Sequence, residues 1–274
     1  MKAKLNRREA VTALGTVSLG SVLAACGTGS ASSAVTTEQS TTATVQSKTT
    51  TSKATAGLFD DAATCSVTTE LTEGPYYFDV DSIRSDVRED RKGTPLRLAL
   101  RVREAGSCEP IENAVVDIWH CDATGLYSGF ESASTGGGGG RPPGGPPPDG
   151  GPPGGGPPGG GREPTDEKTY LRGAQVTNGD GVVEFRTIYP GWYAGRTIHI
   201  HAKVHLDKTT VLTTQLFFDE AVTSEVLKSE PYAEDTGRTT FNDDDGIFAE
   251  QLILTTTKED DGYLGVLTFD VERA

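Results

Sequence analysis

The stretch Tyr189–His205, Y-P-G-W-Y-A-G-R-T-I-H-I-H-A-K-V-H, gathers the residues best suited to chemistry. The chain has four histidines, and His199, His201 and His205 fall here. Thr197–Val204 is rich in β-branched residues and has no internal Gly or Pro, which predicts a strand. Residues two apart on a strand share a face. His199 and His201 therefore project side by side, roughly 7 Å apart at the backbone, and both imidazoles can reach one metal ion. His205 has the same parity but lies roughly 13 Å beyond His201, too far for the same ion without a bulge. The turn Pro190-Gly191-Trp192-Tyr193 places a phenol at the mouth of the strand, and Arg196 stands three residues before His199. Histidines at this spacing also occur as plain polar residues on a solvated face. The scarcity of His in the chain, and the Tyr and Arg beside the pair, favour a metal.

The elements that must position these groups read as short strands. Leu96–Arg103 alternates apolar and basic residues and predicts a half-buried strand. Ala114–His120 predicts a second, more deeply buried one. Thr169–Thr177 and Val182–Ile188 flank Asn178-Gly179-Asp180-Gly181, which predicts a hairpin turn. Thr209–Phe218, Gln251–Thr256 and Leu264–Val271 predict further strands, with one short helix at Ala221–Lys228. Many short strands, frequent turn signals and little helix define a mainly β protein, an antiparallel β-sandwich.

Not all of the 274 residues belong to that domain. Lys2, Lys4, Arg7 and Arg8 precede the apolar stretch Ala10–Ala25, which is too short to span a bilayer. Arg7-Arg8 has the form of a twin-arginine signal. Leu23-Ala24-Ala25-Cys26 resembles a bacterial lipobox, so residues 1–26 are expected to be a signal peptide, cleaved before Cys26 with lipidation of that thiol. Residues 27–59, rich in Ser, Thr and Ala, are expected to be a disordered tether because they hold too little apolar surface to offset chain entropy. The folded domain is expected over 60–274. Within it, 131–167 is a Gly/Pro block that can form neither helix nor sheet interior and reads as a loop insertion. Its composition assigns it no role. A net charge of −14 argues against nucleic acid or an anionic membrane surface as partner. Membrane contact is expected only through a lipid at Cys26, and nothing in the sequence fixes an oligomeric state.

Cys65, Cys108 and Cys121 remain for a non-cytoplasmic domain, where one pair is expected to be oxidised. Cys108 and Cys121 flank the strand at 114–119, which separates them by roughly 20 Å, whereas a disulfide needs α-carbons within about 7 Å. Cys65 should pair with one of them, and the sequence does not say which.

Four blocks in order, W-H-C-D-A-T-G-L-Y-S-G (119–129), L-R-G-A-Q-V-T-N-G-D-G (171–181), T-I-Y-P-G-W-Y-A-G-R-T-I-H-I-H (187–201) and T-T-Q-L-F-F (213–218), together resemble the intradiol ring-cleaving dioxygenases, most closely their secreted, single-domain branch. That resemblance runs from about Cys65 to the C-terminus. It implies one non-haem Fe(III) per chain, held by Tyr127, Tyr193, His199 and His201. It implies a catalytic role for Arg196, for Gln215 beside the ring, and for Tyr193 as the ligand released to take a substrate proton. Gly74, Pro75 and Trp192 would line the substrate pocket. The implied reaction inserts both atoms of O2 into a catechol-type aromatic, giving a muconate-type dicarboxylate. The bottom-up chemistry agrees, since phenolate and imidazole suit a hard ferric ion and a bound cation supplies the charge that keeps a phenol, of ordinary pKa near 10, deprotonated. His120, Tyr189, Trp119 and His205 read as structural. Trp192 is bulky where some members have a small residue, and the N-terminal helical domain by which catechol dioxygenases dimerise is missing from the pattern. The alternatives are a copper oxidase on the same two Tyr and two His, and a non-catalytic, surface-anchored binding module on the same sandwich.

Overall fold

The computed structural model describes residues 34–36, 42–44, 58–59, 65–134 and 163–273. The expected signal peptide, Cys26, most of the tether and the Gly/Pro block at 135–162 lie outside the described residues. Within the tether, Ala34–Thr36 (β1) and Thr42–Thr44 (β2) pair antiparallel, a ladder that the composition did not announce.

The domain is built from Pro95–Glu104 (β3), Val115–Trp119 (β4), Arg172–Val176 (β5), Val182–Ile188 (β6), His199–Leu206 (β7), Thr209–Phe217 (β8), the helix Glu220–Val226 (α1), Thr255–Lys258 (β9) and Tyr263–Val271 (β10). They form two four-stranded sheets, in the orders β6-β3-β10-β9 and β5-β4-β7-β8. Every pairing is antiparallel except β3 with β10, which run parallel. The mainly β, sandwich-type fold expected from the strand pattern is thus the one observed. Leu96, Leu98, Leu100, Val102, Val183, Phe185 and Phe269 from one sheet join Val116, Ile118, Ile200, Ala202, Val204 and Leu216 from the other in a single buried core. Among the described residues no helix is long and apolar enough to cross a membrane.

Two sequence expectations need correction. The turn at 178–181 forms as expected: the Asn178 side-chain oxygen accepts from the backbone N–H groups of Asp180 and Val182, at 3.0 and 2.9 Å. It does not join a hairpin, because β5 pairs with β4 while β6 pairs with β3 in the other sheet. Gly181, at φ 72°, presses its backbone onto β3, where a β-carbon would stand 2.4 Å from the Val102 carbonyl oxygen. The chain changes sheets there, a tertiary event that local turn chemistry does not encode. The strand expected at Gln251–Thr256 begins only at Thr255. Glu250–Leu252 is a 3₁₀ turn, and Leu254 then donates to the Phe217 carbonyl in the opposite sheet before β9 starts.

Cys65 bonds Cys108, with α-carbons 5.4 Å apart. Cys121 is free and buried, and burial pushes its thiol pKa up.

Candidate metal centre

His199 and His201 lie on the face of β7 turned away from the sandwich core, since Ile200 and Ala202 between and beyond them point into it. Register then builds a row of side chains across this sheet: Arg172 on β5 opposes Trp119 on β4, Trp119 opposes His201 on β7, and His201 opposes Gln215 on β8. All four are buried, although they sit on the outer face. The segment 71–86 and the loop 121–134 cover them, tied down in part by backbone hydrogen bonds from Arg84 to Ala174 and from Leu71 to Thr213. A bulge after Val204 pairs His205 with Thr210, whose hydroxyl meets the His205 ring at 3.1 Å, remote from the other two histidines.

Tyr127 is delivered by the tight loop after β4. One Asp122 carboxylate oxygen accepts from the Thr124 N–H, the Thr124 hydroxyl and the Leu126 N–H, and Gly125 takes φ 82°. The Tyr127 N–H then donates to Ser134, and Arg172 grips the next residue through the Ser128 hydroxyl and carbonyl. Tyr193 arrives on the other turn. Gly191 lies so close to this loop that a β-carbon would meet the Ala123 carbonyl oxygen at 2.3 Å, and its N–H donates to the Asp122 carbonyl at 3.0 Å. That contact brings the two phenol rings to 5.8 Å between centroids.

The four groups converge on one point. His199 Nε2 lies 3.4 Å from the Tyr127 hydroxyl, 3.1 Å from the Tyr193 hydroxyl and 3.1 Å from His201 Nε2. His199 Nδ1 faces the Thr197 carbonyl at 2.7 Å, which places the proton on Nδ1 and leaves the Nε2 lone pair turned to the cluster. Burial pushes the Tyr127 and Tyr193 pKa values up and those of His199 and His201 far down. The quartet is therefore a set of neutral oxygen and nitrogen donors aimed at one another, with Tyr127, His199 and His201 buried and Tyr193 half-buried at the edge. This is the donor chemistry that a hard, highly charged cation satisfies, and the residues fit a ferric ion. Among the described residues no group of three His, Cys, Asp or Glu is arranged to hold a metal, so a centre here depends on the phenols.

Arg196 sets its charge beside the same cluster. Its Nε donates to Asp245 at 2.9 Å and its Nη2 to the Gln215 side-chain oxygen, while Gln215 Nε2 donates to the Thr72 carbonyl at 2.8 Å. The guanidinium favours the ionised form of both phenols, against their burial. Gly74 sits against His201, Pro75 is exposed beside it, and Trp192 is buried with the sandwich core, its Nε1 donating to the Asp235 carbonyl at 3.2 Å. His120 stays off the quartet, bonded to the Cys121 carbonyl and the Thr187 hydroxyl, both at 2.7 Å. The Tyr189 hydroxyl meets Thr223. Sequence reasoning did not find Asp245, Asp122 or the buried Arg172. Asp245 ends an unremarkable acidic run, and nothing local marks it.

The fold and site define a β-sandwich with a Tyr–Tyr–His–His donor quartet on one sheet face, and comparison with known proteins narrows that class. The chain matches no family model. It is 32% identical to the solved intradiol ring-cleavage dioxygenase from Tetranychus urticae, over 76% of this chain and 95% of that one, with a TM-score of 0.64. The dioxygenase domain of a carbohydrate-binding fusion protein from Streptomyces sp. SirexAA-E is 27% identical over 76% of this chain and 99% of that one, with a TM-score of 0.51. Chlorocatechol 1,2-dioxygenase from Rhodococcus opacus is 25% identical over 56% of both chains. The chain spans about half the length of the curated relatives it matches, 56% and 45% of theirs. It belongs to the intradiol ring-cleavage dioxygenases.

Proposed function

We propose that this chain cleaves a catechol-type aromatic between its two hydroxyl-bearing carbons, inserting both atoms of O2 to give a muconate-type dicarboxylate. Tyr127, Tyr193, His199 and His201 would hold one non-haem Fe(III). The observation that carries this reading is the convergence of two phenol oxygens and His201 Nε2 on His199 Nε2. When bound, a ferric ion would supply the charge that keeps the phenols ionised and Lewis acidity toward the substrate. The chain's own residues do the rest. Tyr127 is fully buried and locked by its loop, whereas Tyr193 is partly exposed at the end of a turn. Tyr193 is thus the phenol free to swing and take a substrate proton at its hydroxyl oxygen. Arg196, steered by Asp245 and Gln215, sets a cation beside the ring to stabilise negative charge there. Trp119, Phe130 and Tyr76 wall the centre and exclude water.

The test is direct. Purified protein should carry iron, absorb visible light as a ferric phenolate does, and consume O2 with catechol to give a ring-opened dicarboxylate. Absence of O2 uptake by iron-replete protein defeats the assignment and leaves a binding module. Copper in place of iron would make it an oxidase of another kind.

We also propose export and anchoring through Cys26. The Cys65–Cys108 disulfide supports an oxidising compartment. Cys26→Ser should release the protein from the membrane fraction of a bacterial host, and an unchanged distribution counts against the anchor.

A further inference from the structure

The two histidines are held by different means. His199 is oriented by its hydrogen bond to the Thr197 carbonyl, whereas His201 Nδ1 is buried and has no hydrogen-bond partner among the described residues. A ligand imidazole ordinarily donates its second nitrogen to a neighbour, which fixes ring direction. The His201 ring is instead packed in place. Trp119 lies parallel to it, with centroids 4.9 Å apart and planes 7° apart. The backbone of Gly74 abuts its edge, so closely that a β-carbon there would stand 3.0 Å from Cε1. Gly74 belongs to the segment 72–77, which crosses the outer face of the sheet with few regular strand contacts.

Something must press that segment down, and Lys203 is placed to do it. It sits two residues past His201 on the same face of β7, opposite Asp117 on β4. Its side chain is only 6% exposed, an unusual position for an ammonium. Its Nζ lies 2.6 Å from the carboxylate of Glu73 and 3.8 Å from the centre of the Tyr77 ring. The Tyr77 ring also packs on Trp119, at 4.7 Å. Lys203 therefore grips the segment on both sides of Gly74 and, through Tyr77, backs the tryptophan that stacks on His201. Gln215 holds the start of the segment at the Thr72 carbonyl.

We propose that Lys203 and Glu73 form a positioning pair for the metal centre. By clamping the 72–77 strap they hold Gly74 and Trp119 against His201, doing through packing what a hydrogen bond does for His199. This rests on the reading of the quartet as an iron site, and the two claims fail separately.

The experiment uses the full chain, and ferric content of the wild type is measured first. A wild type that retains no iron overturns the metal reading itself. With iron bound, its loss to excess chelator and its visible absorption are followed in K203M, E73Q, the double variant and K203R, with melting monitored alongside. Lost outer support of a ligand costs 10–100-fold in metal affinity. K203M and E73Q should each speed iron loss by about tenfold and shift the phenolate band. The double variant should be no worse than the more affected single one, because the strap is freed only once. K203R should recover part of the wild-type retention. Iron loss within twofold of wild type in folded K203M and E73Q, or effects that add in the double variant, overturns the proposal. Glu73 is the more exposed partner, at 19%, so E73Q alone decides the matter should K203M not fold.

Discussion

Asp245 shows how much a single residue can do at a distance from the Tyr–Tyr–His–His quartet. One of its carboxylate oxygens accepts both Arg196 Nε and the Thr197 N–H, at 2.9 Å each, and so fixes the guanidinium and the start of β7 together. Charge-assisted bonds of this kind are worth about 1.5–3 kcal/mol, and each 1.4 kcal/mol is tenfold in rate. Asp245→Asn keeps an acceptor for Thr197 but loses the charge that steers Arg196. On the proposed reading, kcat with catechol should fall about tenfold or more with a smaller change in KM, as steady-state kinetics will show. His120 offers a prediction of another kind. Burial, aided by the nearby Arg172 charge, depresses its pKa from 6.5 to about 4, although the Cys121 carbonyl that faces the ring favours the protonated form. Between these two values the unfolded chain binds a proton that the folded chain refuses. Stability is thus complete above about pH 6.5 and is lost as pH falls toward 4, by up to roughly 3 kcal/mol at 1.36 kcal/mol per unit. Denaturant titrations at pH 7 and pH 4.5 should differ less in His120→Gln than in the wild type.

At the scale of elements, the site depends on two loops meeting. The 122–126 loop and the 190–193 turn touch through Gly191, whose missing side chain lets the backbones approach to hydrogen-bonding distance. Gly191→Ala would force a methyl group onto the Ala123 carbonyl. Overpacking of this kind costs typically 1–3 kcal/mol. The melting temperature should drop accordingly. Because the strain falls between the loops that carry Tyr127 and Tyr193, iron content should, on the proposed reading, fall as well. A variant that melts early yet keeps full iron occupancy would show that the loops are not coupled. The same scale explains the misread hairpin. Asn178 and Gly181 specify a turn, but the partner of each flanking strand is chosen by the core, which takes β5 to β4 and β6 to β3.

Across the whole molecule, the Cys65–Cys108 bond fastens the start of the domain to the loop after β3, across 43 residues of chain. The Gly106 N–H reinforces the junction by donating to the Cys65 carbonyl at 3.0 Å. In the chain-entropy view, closing a loop of that length stabilises the fold by about 4 kcal/mol. Reduction should therefore lower the melting temperature by several degrees or more. The native protein should show no reactive thiol beyond any at Cys26, since Cys121 is 1% exposed and its thiol is held protonated by burial. Rapid labelling of Cys121 before unfolding would contradict the packing described.

The sequence alone determined the strand-rich class, the period-two placement of His199 and His201, and the motif blocks in which Tyr127, Tyr193, Arg196 and Gln215 stand. These are local facts, carried by residue type, by spacing and by short turns. The tertiary structure decided what depends on partners far apart in the chain. It chose Cys108 for Cys65, put the quartet on the outer rather than the core face of its sheet, and brought Asp245 to Arg196 and Glu73 to Lys203, contacts that no neighbour in sequence announces. Spacing along a strand fixes which way a side chain points, while only the packing of distant segments fixes what it meets there.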